Sequence, residues 1–383
     1  MNRLVVATTI LILLFLLTPV SAMAQSFHWE VAARHGNPAY GLQAVCFIDS
    51  LHGWTAGGSD SIYHTTTGGD SWGYSPGTPM VIHGISMRDS LVGWCAGDNR
   101  AVGRILETTD GGKSWQLKYE SLYQGNNAEF LTGVAVVGSN SIVASGYART
   151  SASSADTAIV AIVVRSSDQG NTWKRTLLDR ISKATHVQFV DSLHGFCDAT
   201  DSILYRTSDG GTNWEKLIYP ISYVNTYFLS HQLGWGAEVG RFYRTTDGGD
   251  SWNLTYQQPF PQEQSLNVQR VCFTDSLYGW SFGYIFYQGI LSEGIFHTTN
   301  SGFNWQKESE GLTDDGGTLL DAVMVDRAHG WAVSFDGRIL SYSRVSDAVP
   351  EPERESQKPQ IFVMDQNYPN PFNTLCRIVL MSR

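Results

Sequence analysis

Basic residues are scarce in this 383-residue chain: 26 Lys and Arg stand against 36 Asp and Glu, giving a formal charge of −10, and no basic cluster occurs. Nucleic acid and anionic membrane surfaces call for the opposite balance, so neither is expected as a partner. Helical periodicity is missing as well. After residue 26 no segment repeats its apolar residues at helical spacing, which points away from helical and mixed folds. Long apolar runs are confined to Leu4 to Leu17. That run is shorter than the roughly 20 residues of a membrane-spanning helix, so no transmembrane segment is expected in the mature chain. With Arg3 before it and Ala22-Met23-Ala24 after it, it reads as a secretory leader over residues 1–24.

What the chain does hold is a repeat marked by tryptophan. Six of its 12 Trp residues close a short cassette, at Trp72, Trp115, Trp173, Trp214, Trp252 and Trp305, and five more follow a glycine, at Trp54, Trp94, Trp235, Trp280 and Trp331. The cassettes recur every 38 to 58 residues. Between them lie short alternating runs such as VQFVD and SILYRTS, separated by turn residues, which is the sequence of a four-stranded propeller blade. Units fall at 44–75, 84–118, 133–176, 187–217, 226–255, 271–308 and 322–343. The seventh stops before its cassette and fourth strand. The segment FHWEVA at 27–32 has that missing pattern, with Trp29 at the cassette position, so it is expected to pair with 337–343 and close the ring without a free edge. The expected fold is all-β, a seven-bladed propeller spanning 25–346, closed by its N-terminal strand.

The cassette is the Asp-box, S/T-x-D-x-G-x-S/T-W. Asp110, Asp168, Asp209 and Asp247 are expected to accept backbone N–H bonds in a turn, above a buried Trp. Thr67 and Asn300 replace Asp in the first and sixth boxes. A calcium loop needs a denser run of oxygen ligands than DGGD offers, so no metal or cofactor is expected. The second recurrent string, DSLHGW, joins Asp to His, as a catalytic pair would. Yet His52, His194 and His329 occupy a slot that holds Val92 and Tyr278 in other repeats, which marks it as a turn position. Cys46 shares one slot with Cys272, and Cys95 another with Cys197. These are strand interiors of separate blades, so free buried thiols are expected.

The repeats resemble the photosystem II stability and assembly factor-like propellers, and sialidases and xyloglucanase-type glycosidases share the box. Beyond a polar linker at 347–361, Gln366 to Asn373 read QNYPNPFN. This resembles the start of the type A C-terminal sorting domain of the type IX secretion system, carried by Asn367, Tyr368, Pro369, Asn370, Pro371, Phe372 and Asn373, with Thr374 where the family has Pro. The resemblance implies export to the surface or medium through the type IX machinery. Residues 362–383 are shorter than that domain, and a tail that fails to sort would leave the protein in the periplasm.

A sialidase would need an arginine triad, an Arg-Ile-Pro string and a Tyr/Glu pair; the string is missing, and the recurrent Arg206 and Arg244 precede boxes. A two-carboxylate glycosidase could draw on Glu238, Glu293, Asp314, Asp315 or Asp321, and remains the alternative. Loops opposite the boxes are expected at 119–131, 151–158, 256–268, 284–293 and 311–319. On or near them, Tyr123, Glu238, Tyr256, Phe260, Tyr284 and Tyr287 are the expected ligand contacts, since aromatic loop residues suit sugar stacking or peptide anchoring. The sequence thus reads as an exported, monomeric, non-catalytic propeller that binds a protein or a glycan at the cell surface.

Overall fold

The computed structural model describes residues 27–344 apart from 36–40, 59–60, 77–79, 123–127, 152–156, 181, 220–224, 260–263, 309–311 and 313–316. The leader, the linker, the sorting-type motif, Tyr123, Phe260, Asp314 and Asp315 therefore lie outside the described residues. Every regular element inside them is a β-strand, and no helix there is long and apolar enough to cross a membrane. The strands form seven antiparallel sheets, six of them built from consecutive strands and the seventh from both ends of the chain, so the chain is a seven-bladed β-propeller. Blade 1 is typical, with Leu42–Phe47, Gly53–Gly57, Ser61–Thr65 and Gly73–Pro76 running from the innermost strand outward. Blade 7 is assembled from both ends of the chain. Phe27–Arg34 pairs with Arg338–Arg344, Trp29 opposite Tyr342 and Glu30 opposite Ser341, and becomes its outer strand.

The hydrophobic core lies between blades. The Gly-Trp strand of one blade presses its ring against the last residue of the innermost strand of the next: Trp331 stacks on Phe47 at 3.5 Å, Phe196 on Phe228 at 3.4 Å and Trp235 on Phe273 at 3.6 Å. Such pairs contribute roughly 0.5 to 1.5 kcal/mol beyond area burial. The glycine before the Trp has a steric reason. A Cβ at Gly53 would lie 2.2 Å from the Phe47 ring, which rests flat on that backbone.

The two recurrent motifs turn out to be halves of one inter-blade latch. The indole N–H of Trp54 donates to the carbonyl of Gly111, in the cassette of the following blade, at 2.9 Å. Trp235 donates to Ser301 at 2.9 Å, and Trp331 closes the ring on Gly68 at 2.9 Å. Where the second strand lacks Trp, an arginine from the third strand substitutes: Arg165 reaches Gly210 at 2.8 Å and Arg206 reaches Gly248 at 3.1 Å. Blade 7 has no cassette, and Trp280 turns instead to Glu308 at 3.1 Å. Trp94 is the exception. It lies beside the blade 3 cassette, where Gln169 stands in place of the first glycine, and its N–H finds no acceptor among the described residues.

Candidate functional site

Both recurrent turns lie on one face, because in each of the six blades with a cassette the cassette is bonded to the turn joining the first two strands, as Gly68 N–H is to the Leu51 carbonyl at 2.9 Å. Within the cassette, Asp110 Oδ1 accepts the Ser114 N–H at 2.9 Å and Oδ2 its hydroxyl at 2.6 Å, while Thr108 Oγ1 accepts the Gly112 N–H at 2.8 Å. Asp168, Asp209 and Asp247 repeat this pattern. Hydrogen bonds from Thr172 hold Asp168 at about 2, and those from Ser251 hold Asp247 at about 2. Thr67 substitutes its hydroxyl for the carboxylate, accepting the Ser71 N–H at 3.0 Å, and Asn300 its amide oxygen, accepting the Asn304 N–H at 2.9 Å. The Asp-His pairs are turn staples. Asp49 Oδ1 accepts the N–H groups of Leu51 and His52, and the His52 ring bonds the same carboxylate at 2.9 Å; His194 and His329 do the same in their blades.

Clefts open on this cassette face, among them one of about 390 Å³ beside His52, His64 and Asp110 and another of about 300 Å³ beside His194, Arg206 and Asp247. They occupy the same place between blades 1 and 2 and between blades 4 and 5. Arg206, bridging Glu215 and Asp250, narrows the second, whereas shorter His64 leaves the first open. A recess repeated by the architecture is not a dedicated site.

On the opposite face, the carboxylates expected on loops are built into strands. Asp321 lies on the innermost strand Leu319–Met324, where it pairs with Arg270 at 3.0 Å and accepts the Val45 N–H at 2.9 Å. Glu293 ends the strand Ile290–Glu293 and is buried against Arg338, itself fully buried and tied to Asp336 at 2.8 Å. Glu238 ends the second strand of blade 5, and its Oε2 is buried without a hydrogen-bond partner among the described residues. Further His–Asp contacts join the first two strands of their blades, His83 with Asp98 at 3.1 Å and His186 with Asp198 at 3.9 Å. A bulge in each of six innermost strands, as between Val268 and Arg270 or between Leu319 and Asp321, resets the alternation beside these residues. Burial raises the Asp198 carboxyl to about 7 against the lowering effect of Thr226 and Arg270, and pushes His186 well below the usual imidazole value.

Several expected loop aromatics also need correcting. Tyr256 belongs to the outer strand Asn253–Gln257, half-buried near Phe242 and bonded to Gln258 at 2.9 Å. Tyr284 and Tyr287 lie on the strand Gly279–Tyr287, which continues through a hairpin into Ile290–Glu293. Both segments form strands because tight pairing satisfies backbone groups that an exposed loop would leave to water.

The face nevertheless carries a recess and an aromatic platform, both on blade 3. The strands Ala128–Val137, Ser141–Ser151 and Thr157–Ser166 are longer than those of blade 1, and a cleft of about 430 Å³ lies at their ends, lined by Tyr119, Leu122, Glu129, Arg149 and Arg175. Glu129 is the hub of its wall, accepting from Tyr119 at 2.9 Å and from Arg175 at 2.8 Å. On the other surface of the same two strands Phe130 and Tyr147 stack at 4.9 Å. Arg149 sits over Phe130 at 5.4 Å and Lys183 over Tyr147 at 5.0 Å. Among the described residues neither cation has a carboxylate partner. Sequence reading missed these four residues. The signal was the 58-residue interval from Trp115 to Trp173, the longest in the chain, which marks the inserted strand length.

No family model matches this sequence, and no curated protein is similar to it. Solved structures are similar in fold. A structure described as YCF48 bound to D1 peptide shares 18% identity over 82% of this chain and 96% of its own, with a TM-score of 0.61. YCF48 from Cyanidioschyzon merolae shares 14% over 82% and 98%, with a TM-score of 0.58. The GH74 enzyme of Niastella koreensis shares 14%, with a TM-score of 0.55, and the match covers 82% of this chain but 53% of that one. At such identities the likeness is one of fold, a β-propeller shared by a protein solved with a bound peptide and by an enzyme.

Proposed function

We propose that this protein is an exported, non-catalytic propeller that binds a protein partner through the face opposite its cassettes. The observation that carries this reading is the blade 3 platform: a stacked aromatic pair with a cation over each ring, neither cation having a carboxylate partner among the described residues, on strands whose ends also line a cleft of about 430 Å³, in a chain of net charge −10. Aromatic and arginine side chains at the edge of a recess are the usual anchors of protein interfaces. Against hydrolysis stands the use made of the carboxylates. Asp321 and Glu293 are held by Arg270 and Arg338, whereas a glycosidase acid and its partner must face the same substrate bond. The leader-like start and the QNYPNPFN motif support delivery to the surface or medium by type IX secretion, and the fold-neighbour with a bound peptide supports a protein over a glycan.

The test is a protein-partner array run beside a glycan array and a panel of glycosidase substrates. Arg149→Glu with Lys183→Glu is expected to weaken the partner at least tenfold, about 1.4 kcal/mol, at unchanged melting temperature. A hydrolytic activity abolished by Glu238→Gln or Asp321→Asn would overturn the reading in favour of an enzyme.

A further inference from the structure

The recess between blades 1 and 2 matches the one between blades 4 and 5 in position but not in lining. In the latter, Arg206 of the third strand lies opposite Glu215 of the fourth and bridges it to Asp250 in the next cassette, at 2.8 and 3.1 Å. All three members of that bridge are replaced between blades 1 and 2. His64 takes the arginine position, Gly73 lies opposite it, and Lys113 stands in the next cassette where blade 5 has Asp250. Two acidic residues are gone and a cation has been added. The imidazole rests on the bare backbone of Gly73, where a Cβ would come within 2.8 Å of it, and the recess of about 390 Å³ stays open. Elsewhere the His64 position holds a longer or paired residue. Glu107 bonds Lys118 at 2.9 Å in blade 2, Arg165 reaches Gly210 at 2.8 Å in blade 3, Arg244 stands there in blade 5, and His297 of blade 6 pairs with Glu308 at 3.2 Å. A repeated recess becomes a particular one where its lining leaves the repeat.

The polar groups around this recess divide into acceptors already used and donors still open. Asp110 is engaged within its own cassette by the Ser114 N–H, the Ser114 hydroxyl and the Thr108 hydroxyl. Asp49 is engaged within its own turn by the Leu51 and His52 N–H groups and the His52 ring. Lys113 is exposed, and among the described residues it has no carboxylate partner. The hydroxyls of Thr66, Ser71 and Ser90 and the rings of His52 and His64 complete the wall, and Nδ1 of His64 has no hydrogen-bond partner among the described residues. What the recess offers a ligand is an ammonium and hydroxyl donors.

We propose that this recess binds a small oxyanion-bearing ligand, a phosphate or carboxylate on a body no larger than a monosaccharide. Lys113 meets the charged oxygens as a point charge, and the serine and threonine hydroxyls supply neutral donors around it. A volume of about 390 Å³ between two blades suits a small molecule. The site lies on the cassette face, away from the surface assigned to the protein partner, and stands independently of that reading.

The test is calorimetric titration of the full chain with inorganic phosphate, acetate, glucose 6-phosphate and glucose at constant ionic strength. Binding of phosphate and glucose 6-phosphate assigns a phosphate ligand and binding of acetate a carboxylate; either supports the site when glucose does not bind. Lys113→Gln, at an exposed position, is expected to weaken the anion at least tenfold. His64→Arg/Gly73→Glu/Lys113→Asp rebuilds the bridge of blades 4 and 5 and is expected to abolish binding at an unchanged melting temperature; should it fail to fold, Lys113→Gln decides. An anion that binds Lys113→Gln as it binds the unaltered chain would overturn the proposal, as would glucose binding as tightly as glucose 6-phosphate, or no anion binding at all. Loss of the anion on Arg149→Glu, with Lys113→Gln unaffected, would move it to blade 3 and overturn the proposal equally.

Discussion

Glu30 and Ser341 lie directly opposite one another in blade 7, joining the first described strand to the last. Replacing both with cysteine should therefore give a disulfide that locks the ring, since directly opposed strand residues fall within the Cα separation of about 4.4 to 6.8 Å that a disulfide tolerates. The closed loop would contain about 310 residues, for which the chain-entropy relation gives about 5 to 6 kcal/mol of stabilisation, an upper value before strain is subtracted. Among the described residues, unintended pairing is opposed by the native thiols themselves. Cys95, Cys197 and Cys272 are buried, and burial raises Cys46 to about 11 and Cys272 to about 12, which keeps them unreactive at neutral pH. Melting of the oxidised and reduced forms of Glu30→Cys/Ser341→Cys, beside the single variants, gives the comparison. The oxidised double variant should melt several degrees higher, and reduction should return it to the level of the singles. Failure of the bond to form under mild oxidant, or its formation without any gain, would refute closure of the ring by this strand.

Asp209→Ala should cost roughly 1 to 3 kcal/mol, because the Thr212 and Asn213 N–H groups lose their acceptor; a lowered urea midpoint at constant slope would show it, with partner affinity unchanged. Arg206→Ala should remove the latch onto Gly248 at about the same cost, and an unchanged urea midpoint would remove the latch from the fold's stability. Acid should act through the cassette carboxylates. Asp168 and Asp247, held at about 2, contribute stability that is present above the unfolded value near 4 and lost as pH falls toward 2, so denaturant midpoints should drop across that window. Asp198, raised to about 7 by burial, has the opposite sign. It favours the folded state below about 4 and loses that contribution as pH rises to about 7; Asp198→Asn should flatten the stability profile between those values, and an unaltered profile would argue against a buried protonated carboxyl. Finally, Tyr256→Ala should destabilise the propeller through its packing near Phe242, whereas Tyr287→Ala, at an exposed hairpin tip, should leave the melting temperature alone.

Blade number, strand order and ring closure were legible in the sequence because each repeat presents the same local problem. Alternation of apolar residues sets a strand, and Gly and Asp set a turn, so Trp29 announced its place once the seventh unit, 322–343, was seen to stop before its own cassette tryptophan. The turn role of His52, His194 and His329 was legible for the same reason, from the repeat slot they share with Val92 and Tyr278. Only the tertiary structure decided what each repeat does to its neighbour. That Trp54 bonds Gly111, that Arg206 stands in for an absent tryptophan, and that Arg338 neutralises Glu293 depend on contacts between blades, which no pattern within one blade encodes. The same limit governed the site. Tyr284 and Tyr287 read as loop residues because the strand containing them outruns its repeat, and Phe130, Tyr147, Arg149 and Lys183 become a platform only when two strands and the segment leading into the next blade meet. Local chemistry fixes a repeating unit; a surface made where units adjoin is fixed by their packing.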